Sequence, residues 1–119
     1  MDMYTEMILD LYKNPRNKGA LKNPTHESKK INPLCGDELC LQLIIDDQKI
    51  KEVKFQGQGC AISQAAASLL TDKIKNISVD EAKHLNKETV LELLHIPISP
   101  ARLKCALLSL DALQGALNK

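Results

Sequence analysis

The residues of this chain best suited to chemistry are its four cysteines. They are Cys35, Cys40, Cys60 and Cys105 in a sequence of 119 residues. Cysteine thiolates bind soft and borderline metal ions and take part in sulfur exchange, and in a reducing compartment these roles outweigh disulfide formation. No Cys-x-x-Cys pair occurs. Spacing alone therefore leaves metal binding evenly balanced against ordinary buried cysteines.

Three of these cysteines lie at predicted boundaries between secondary-structure elements. Cys35 precedes the first clear strand, Cys60 follows two glycines where a strand gives way to a helix, and Cys105 lies in the first turns of the last helix. Glycine lets the backbone approach closely, and a helix N-terminus favours thiolate over thiol. Such boundaries are typical of metal sites. Cys40, by contrast, lies inside a predicted strand and on the side opposite Leu39 and Leu41, so we expect it not to be a ligand.

The elements that position these cysteines are predicted from apolar periodicity and capping signals. Helical spacing predicts helices over residues 3–13, 61–75, from 78 onward, 87–94 and 101–117, and alternation predicts strands over 39–45 and 50–56 with a short edge strand near 29–32. The last helix should turn Leu103, Leu107, Leu110 and Leu113 inward. Strands followed by helices predict an α+β fold, in which about three antiparallel strands are covered on one face by helices. We expect one domain over residues 1–119.

Composition and charge exclude several classes of protein. The formal net charge is +1 and aromatic residues make up 3% of the chain, which argues against a nucleic-acid binder. The most basic stretch, residues 22–30, is interpreted as a solvated loop. No apolar run approaches the roughly 20 residues of a membrane helix, and the acidic N-terminus is unlike a signal peptide. We therefore predict a cytoplasmic protein that binds neither nucleic acid nor membrane.

Three cysteine-containing segments carry a resemblance to a known family. They are Asn32-Pro33-x-Cys35-Gly36-Asp37, Gly57-x-Gly59-Cys60-Ala61-Ile62-Ser63 and Pro100-Ala101-Arg102-x-Lys104-Cys105-Ala106. Together with Tyr12-Lys13-Asn14-Pro15-Arg16-Asn17-x-Gly19, these segments resemble the IscU/NifU-N/SufU family of iron–sulfur cluster assembly proteins. The resemblance extends from about Tyr4 to the C-terminus, and three independent cysteine motifs make it specific.

The resemblance implies a SufE/NifU-like scaffold and a set of ligands. Carried over residue by residue, the ligands are Cys35, Asp37, Cys60 and Cys105. Three thiolates and one carboxylate suit iron in a [2Fe–2S] cluster, or Zn²⁺ in a tetrahedron. The carboxylate is the weaker ligand, so the site can open there. The implied partners are a cysteine desulfurase, recipient apoproteins or carrier proteins, and a second copy of the chain when a cluster is bound.

Two functions remain open on the sequence. In the first, the protein is a non-enzymatic scaffold that accepts sulfur, assembles a [2Fe–2S] cluster and passes it on. In the second, it is a SufU-like zinc-dependent sulfurtransferase that activates its desulfurase. Lys104 resembles the SufU branch, since the Isc branch has His before the third cysteine. The stretch from Lys87 to Pro100, however, is too short for the usual SufU insertion, and the Leu-Pro-Pro-Val-Lys chaperone motif of the Isc branch is absent. A purely structural zinc domain is the weakest reading.

Individual roles follow from the third segment. We predict that Cys105 accepts persulfide sulfur, because a thiolate near a helix start beside Arg102 and Lys104 should form readily. Arg102 and Lys104 are predicted to contact the desulfurase. A protonated Lys104 has no lone pair and cannot be a ligand, so Asp37 should complete the site.

Overall fold

A computed structural model describes residues 3–34 and 36–118 of the chain. The elements in chain order are α1 (Met3–Lys13), β1 (His26–Asn32), β2 (Asp37–Asp46), β3 (Lys49–Gln58), α2 (Ala61–Ile74), α3 (Val79–Lys83), α4 (Lys87–Leu94) and α5 (Pro100–Leu117). The predicted α+β fold with a three-stranded antiparallel sheet is confirmed. Among the described residues, no helix is both long and apolar enough to cross a membrane.

The sheet has the strand order β1-β2-β3, with both pairs antiparallel. Along β2, Leu39, Leu41 and Leu43 are buried and the intervening residues are only partly buried. The β2–β3 turn places Asp47 and Gln48 at φ values of 53° and 62°, as a type I′ hairpin turn requires. Strand alternation therefore defines a buried inner face and an outer face. As predicted, Cys40 lies on the outer face.

The helices cover the inner face of the sheet. α5 packs on β1, β2 and α2, and α1 packs on α2. Because α5 has neighbours on several sides, its buried residues do not form a single stripe. Leu110 and Leu113 are buried as predicted, and Leu107 is partly buried and packs against the core, but the prediction was wrong for Leu103, which is only partly buried and does not join the core.

Local capping explains where two of the helices begin. The Ser78 side chain accepts a hydrogen bond of 3.0 Å from the Glu81 backbone N–H, so the predicted cap of α3 is confirmed. Asn86 caps α4 in the same way, at 3.2 Å from the Thr89 N–H. The basic stretch at 22–30 differs from its prediction. Its second half is the start of β1, which pairs with β2 from His26 onward.

Candidate metal centre

The β1–β2 hairpin supplies two buried polar side chains at its tip. Asn32 ends β1, Asp37 begins β2, and the two residues are paired across the strands. Their exposed fractions are 6% and 3%. The turn is closed by the Gly36 backbone N–H, which donates to the Asn32 carbonyl at 2.9 Å. Gly36 has φ +73°, a conformation that glycine adopts without a steric penalty. The hairpin tip therefore presents Asp37 toward the helices.

Cys60 reaches the same place from the end of β3. It is the N-cap residue of α2, with extended backbone angles, and it is partly buried. Its thiol donates to Oδ2 of Asp37, with the sulfur 3.8 Å from the oxygen. Gly59 makes this approach possible, because a Cβ at that position would lie 2.9 Å from Cγ of Asp37. A side chain on residue 59 would push the carboxylate away.

Cys105 comes from α5 and lies deepest. It is the sixth residue of that helix and is 2% exposed. The helix dipole acts mainly over the first turn. Cys105 lies beyond the first turn of α5, so the predicted position at a helix N-terminus does not fit it well. Cys60, the N-cap residue of α2, lies closer to such a position. The role of Cys105 as persulfide acceptor stays a prediction.

Three of the four predicted ligands converge. One donor atom each from Asp37, Cys60 and Cys105 lies within 4.8 Å of the others. Zn–S distances near 2.3 Å place two thiolates of one tetrahedral ion roughly 3.7 Å apart, so small side-chain rotations would close the set around one ion. The two sulfurs and one carboxylate fit zinc or iron, and not magnesium or calcium, which prefer all-oxygen sites. Cys35 lies outside the described residues, so its place in the ligand set stays a prediction.

Comparison with known proteins agrees with this arrangement. Residues 3–119 match the family model described as NifU-like N terminal domain. The chain belongs to this family. The zinc-dependent sulfurtransferase SufU of Bacillus subtilis is 35% identical over 98% of this chain and 90% of its own length. The iron–sulfur cluster assembly scaffold protein IscU of Escherichia coli K12 is 34% identical over 96% of this chain and 91% of its own length.

Solved structures give the same fold. The crystal structure of a putative iron–sulfur cluster assembly scaffold protein for the SUF system from Fervidobacterium islandicum superposes with a TM-score of 0.80, at 30% identity and 94% coverage of both chains. The N-terminal part of a NifU-like protein from Brucella abortus has a TM-score of 0.80 at 20% identity, which supports the fold alone. The alignment with the Bacillus protein spans 134 residues, so this NifU-like chain of 119 residues lacks part of that sequence.

The three candidate ligands of this NifU-like chain line an open cavity of about 620 Å³. Tyr12, Gly36 and Arg102 also line this space, which we call the ligand cavity. Gly36 is next to Cys35 in sequence. Arg102 is exposed at the mouth, in a position to meet a protein partner.

Lys104 does not lie with Arg102 and Cys105, the two residues that were predicted to act beside it. It lines a separate cavity of about 310 Å³, together with Leu34, Leu108 and Asp111. Successive helical residues point about 100° apart, so Lys104 and Cys105 diverge. Burial raises the pKa of Asp111 in this second cavity, and nearby Lys30 opposes the rise. Lys104 therefore remains a candidate for partner contact, but it does not line the ligand cavity.

Two residues of the site have roles that the sequence did not indicate. Asn32 donates from Nδ2 to Sγ of Cys105 over 3.7 Å, and Gly59 makes room for Asp37. Both belong to segments that carry the family resemblance. An Asn before Pro is a common turn residue. Its contact with a helix 73 residues away depends on the tertiary fold.

Proposed function

We propose that this protein is a non-enzymatic scaffold that accepts sulfur from a cysteine desulfurase, assembles a [2Fe–2S] cluster and passes it to recipient apoproteins or carriers. The observation that carries this proposal is the convergence of Asp37, Cys60 and Cys105 on an open cavity. Cys35 completes the ligand set in the proposal. The named function of the Escherichia coli IscU relative supports the same assignment.

An open site is suited to transfer. A structural zinc site usually has four protein ligands closed around one ion. The ligand cavity, at about 620 Å³, has room for a cluster and for an approaching protein segment. Asp37 is the weaker ligand, because an oxygen donor holds a soft iron–sulfur centre less strongly than a thiolate does. Release of the cargo is therefore expected to begin at Asp37.

Sulfur arrives as the outer sulfur of a persulfide on the desulfurase. In the proposed step, the acceptor thiolate on Cys105 attacks that sulfur. A new S–S bond forms on Cys105, the S–S bond of the desulfurase persulfide breaks, and the desulfurase cysteine leaves as a thiolate. Because Cys105 is 2% exposed, the partner must open the cavity floor before this attack. Arg102 at the mouth is proposed to hold the desulfurase during the step, with Lys104 contacting it from the neighbouring cavity.

A zinc-dependent sulfurtransferase is the second candidate. Lys104 before the third cysteine favours it, as does the 35% identity to the Bacillus SufU protein. The missing sequence relative to that protein favours the scaffold. Both functions use the same donors and the same desulfurase, so they differ in the occupant of the site. In either function the protein acts in the cytoplasm. In the scaffold function, two copies associate when a cluster bridges them.

Anaerobic reconstitution separates the two functions. The protein is incubated with a cysteine desulfurase, cysteine, Fe²⁺ and a thiol reductant that converts persulfide sulfur to sulfide. Iron, sulfide, zinc and visible absorption are then measured on one preparation. A scaffold binds iron and sulfide in equal amounts with cluster absorption, and Cys60→Ser abolishes both. A colourless protein that keeps one zinc while accepting sulfur supports the sulfurtransferase. Cys40→Ala serves as the matched control, because that thiol lies on the outer face of the sheet.

A further inference from the structure

The side chain of Asn32 is fixed between the hairpin turn and the buried cysteine of α5. Its Oδ1 accepts a hydrogen bond from the Leu34 backbone N–H at 3.2 Å, and its Nδ2 donates to Sγ of Cys105 at 3.7 Å. The Leu34 N–H can only donate, so the oxygen of the amide must face it. The amide orientation therefore follows from the turn, and the NH₂ group is directed at the sulfur.

This contact is buried and lies beside the ligand set. Asn32 is 6% exposed and Cys105 is 2% exposed. A hydrogen bond shielded from water is stronger than the same bond at the surface, and one to an ionised acceptor is roughly twice as strong as one between neutral groups. An amide N–H has no lone pair and cannot bind the metal ion. Its contact with Cys105 is therefore with the sulfur.

We propose that Asn32 is a positioning residue of the metal site, whose amide orients the Cys105 thiolate and draws electron density from its sulfur while the same side chain accepts a hydrogen bond from Leu34 in the turn between β1 and β2. This inference rests on the proposed metal site. Hydrogen bonds to ligand sulfurs tune cluster potential and ligand strength, and loss of such a partner typically costs 10–100-fold in metal affinity. Asn32 thereby links the β1–β2 turn to the proposed ligand in α5.

Two substitutions of Asn32 remove its hydrogen bond to Cys105 while keeping an acceptor for the hydrogen bond in the turn. Asn32→Asp keeps the shape and the acceptor for Leu34 but adds a charge. Asn32→Ser keeps an uncharged acceptor of the kind that stabilises such turns, but it is too short to reach Cys105. Neither variant donates to the sulfur. Asn86→Ser is the matched control, since Asn86 caps the distant helix α4 and serine is also a good N-cap.

The test uses the whole chain, made metal-free and then loaded anaerobically with Co²⁺ alone. Thiolate-to-Co²⁺ charge-transfer absorption should move to lower energy in both Asn32 variants, because the sulfur becomes more electron-rich. Co²⁺ should also bind about 10-fold more weakly to both. Asn86→Ser should match the wild type in both measurements. Far-ultraviolet circular dichroism shows which metal-free variants are folded, and if one is unfolded the other decides.

The energy of the charge-transfer band shows whether Asn32 acts as a hydrogen-bond donor to Cys105 or only stabilises the turn. If the folded variants keep the wild-type band energy, the proposal is overturned, even where Co²⁺ affinity falls. A shift confined to one of two folded variants overturns it as well, because both lack the donor. Failure of the proposed metal site looks different, since the wild-type protein would then show no thiolate charge-transfer band at all.

Discussion

At the scale of single residues, the proposed metal site combines cysteine thiols with one carboxylate that is almost completely buried. Asp37 is 3% exposed and has the Cys60 thiol as a hydrogen-bond donor. Replacing Asp37 by Ala leaves thiolates that still hold metal, but the ligand best able to dissociate is gone. We expect cluster or sulfur transfer to fall more than metal content does. Both quantities are measured on the same preparation.

The control for Asp37→Ala is Asp46→Ala, which removes an exposed carboxylate at the other end of the same strand. It should leave metal content and transfer unchanged. Transfer by Asp37→Ala at the wild-type rate would show that the exchangeable ligand lies elsewhere. Lys104 is then a poor substitute, because it lines the second cavity and not the ligand cavity.

Gly59 is the residue whose lack of a side chain matters most to the site. A Cβ there would lie 2.9 Å from Cγ and 3.0 Å from Oδ1 of Asp37, and it would also collide with the Ser63 hydroxyl. Contacts this short force the carboxylate to move. Gly59→Ala should therefore weaken Zn²⁺ binding about 10-fold, as measured by competition with a chromogenic chelator.

Ser63 provides the control for this prediction. Ser63→Ala alone should keep wild-type affinity for Zn²⁺, since Ser63 is not a ligand and its hydroxyl bonds to the Cys60 carbonyl. Adding Ser63→Ala to Gly59→Ala removes one collision and leaves the one with Asp37. The double variant should stay weak. Recovery of wild-type affinity in the double variant would show that Gly59→Ala weakens Zn²⁺ binding through its collision with Ser63.

At the scale of elements, the N-cap position of α2 carries a candidate ligand in place of a side chain that would cap the helix. Cys60 is its N-cap residue and makes no side-chain hydrogen bond to the helix backbone. Serine is among the best N-cap residues, and loss of such a cap costs about 1 kcal/mol. Without metal, Cys60→Ser should be more stable than Cys60→Ala by about 1 kcal/mol in urea unfolding, while neither holds metal normally. Equal stability of the two variants would show that residue 60 does not cap α2.

The packing of α5 on β1 predicts a small pH dependence of stability. Burial raises the pKa of Asp111, and Lys30 on β1 opposes the rise. The folded state then binds the proton more tightly than the unfolded state does, so this group lowers stability as pH rises through its titration range, above about 4. Asp111→Asn should raise Tm slightly at pH 7 and less at pH 3. The effect is small because Asp111 is only partly shielded from solvent. A Tm difference that does not change with pH would contradict it.

Elements with strong local signals were predicted well, and those formed by long-range pairing were not. The bounds predicted for α1 and α4 agree with the structure, because apolar spacing and a following break define each end locally. β1 was predicted too short. Its inner face carries Ser28 and Asn32, so it lacks apolar alternation and exists as a strand because its backbone pairs with β2.

In the candidate site, too, some features were predicted from the sequence, and others depend on the tertiary fold. Cys60, Cys105 and Asp37 were predicted from the segments that resemble the family, and the structure brings them together. The inward position of Asp37 also agrees with strand parity, since it shares the buried side of β2 with Leu39. The separation of Lys104 from the ligand cavity depends on how α5 is rotated against the sheet, which a sequence motif does not specify.

At the scale of the whole molecule, the ligand set joins three segments that are far apart in sequence. They are the tip of the β1–β2 hairpin, the start of α2 and the second turn of α5. In the unfolded chain these donors are not held together. A metal ion that binds this proposed site should therefore bind the folded state preferentially and stabilise it.

Metal binding should consequently raise the melting temperature of the whole chain. Free Zn²⁺ at 100 times its dissociation constant stabilises by about 2.7 kcal/mol, which corresponds to a rise in Tm of about 10 °C for a domain of this size. Calorimetry of metal-free and Zn²⁺-loaded protein measures the rise. Cys60→Ser should lose most of it, since one ligand is removed. Cys40→Ala should keep it, because Cys40 lies on the outer face of the sheet, away from the site.

Equal melting temperatures with and without saturating Zn²⁺ would mean that the three donors do not form a metal site in the folded protein. Loss of the rise in Cys40→Ala would mean that the ligand set is wrong.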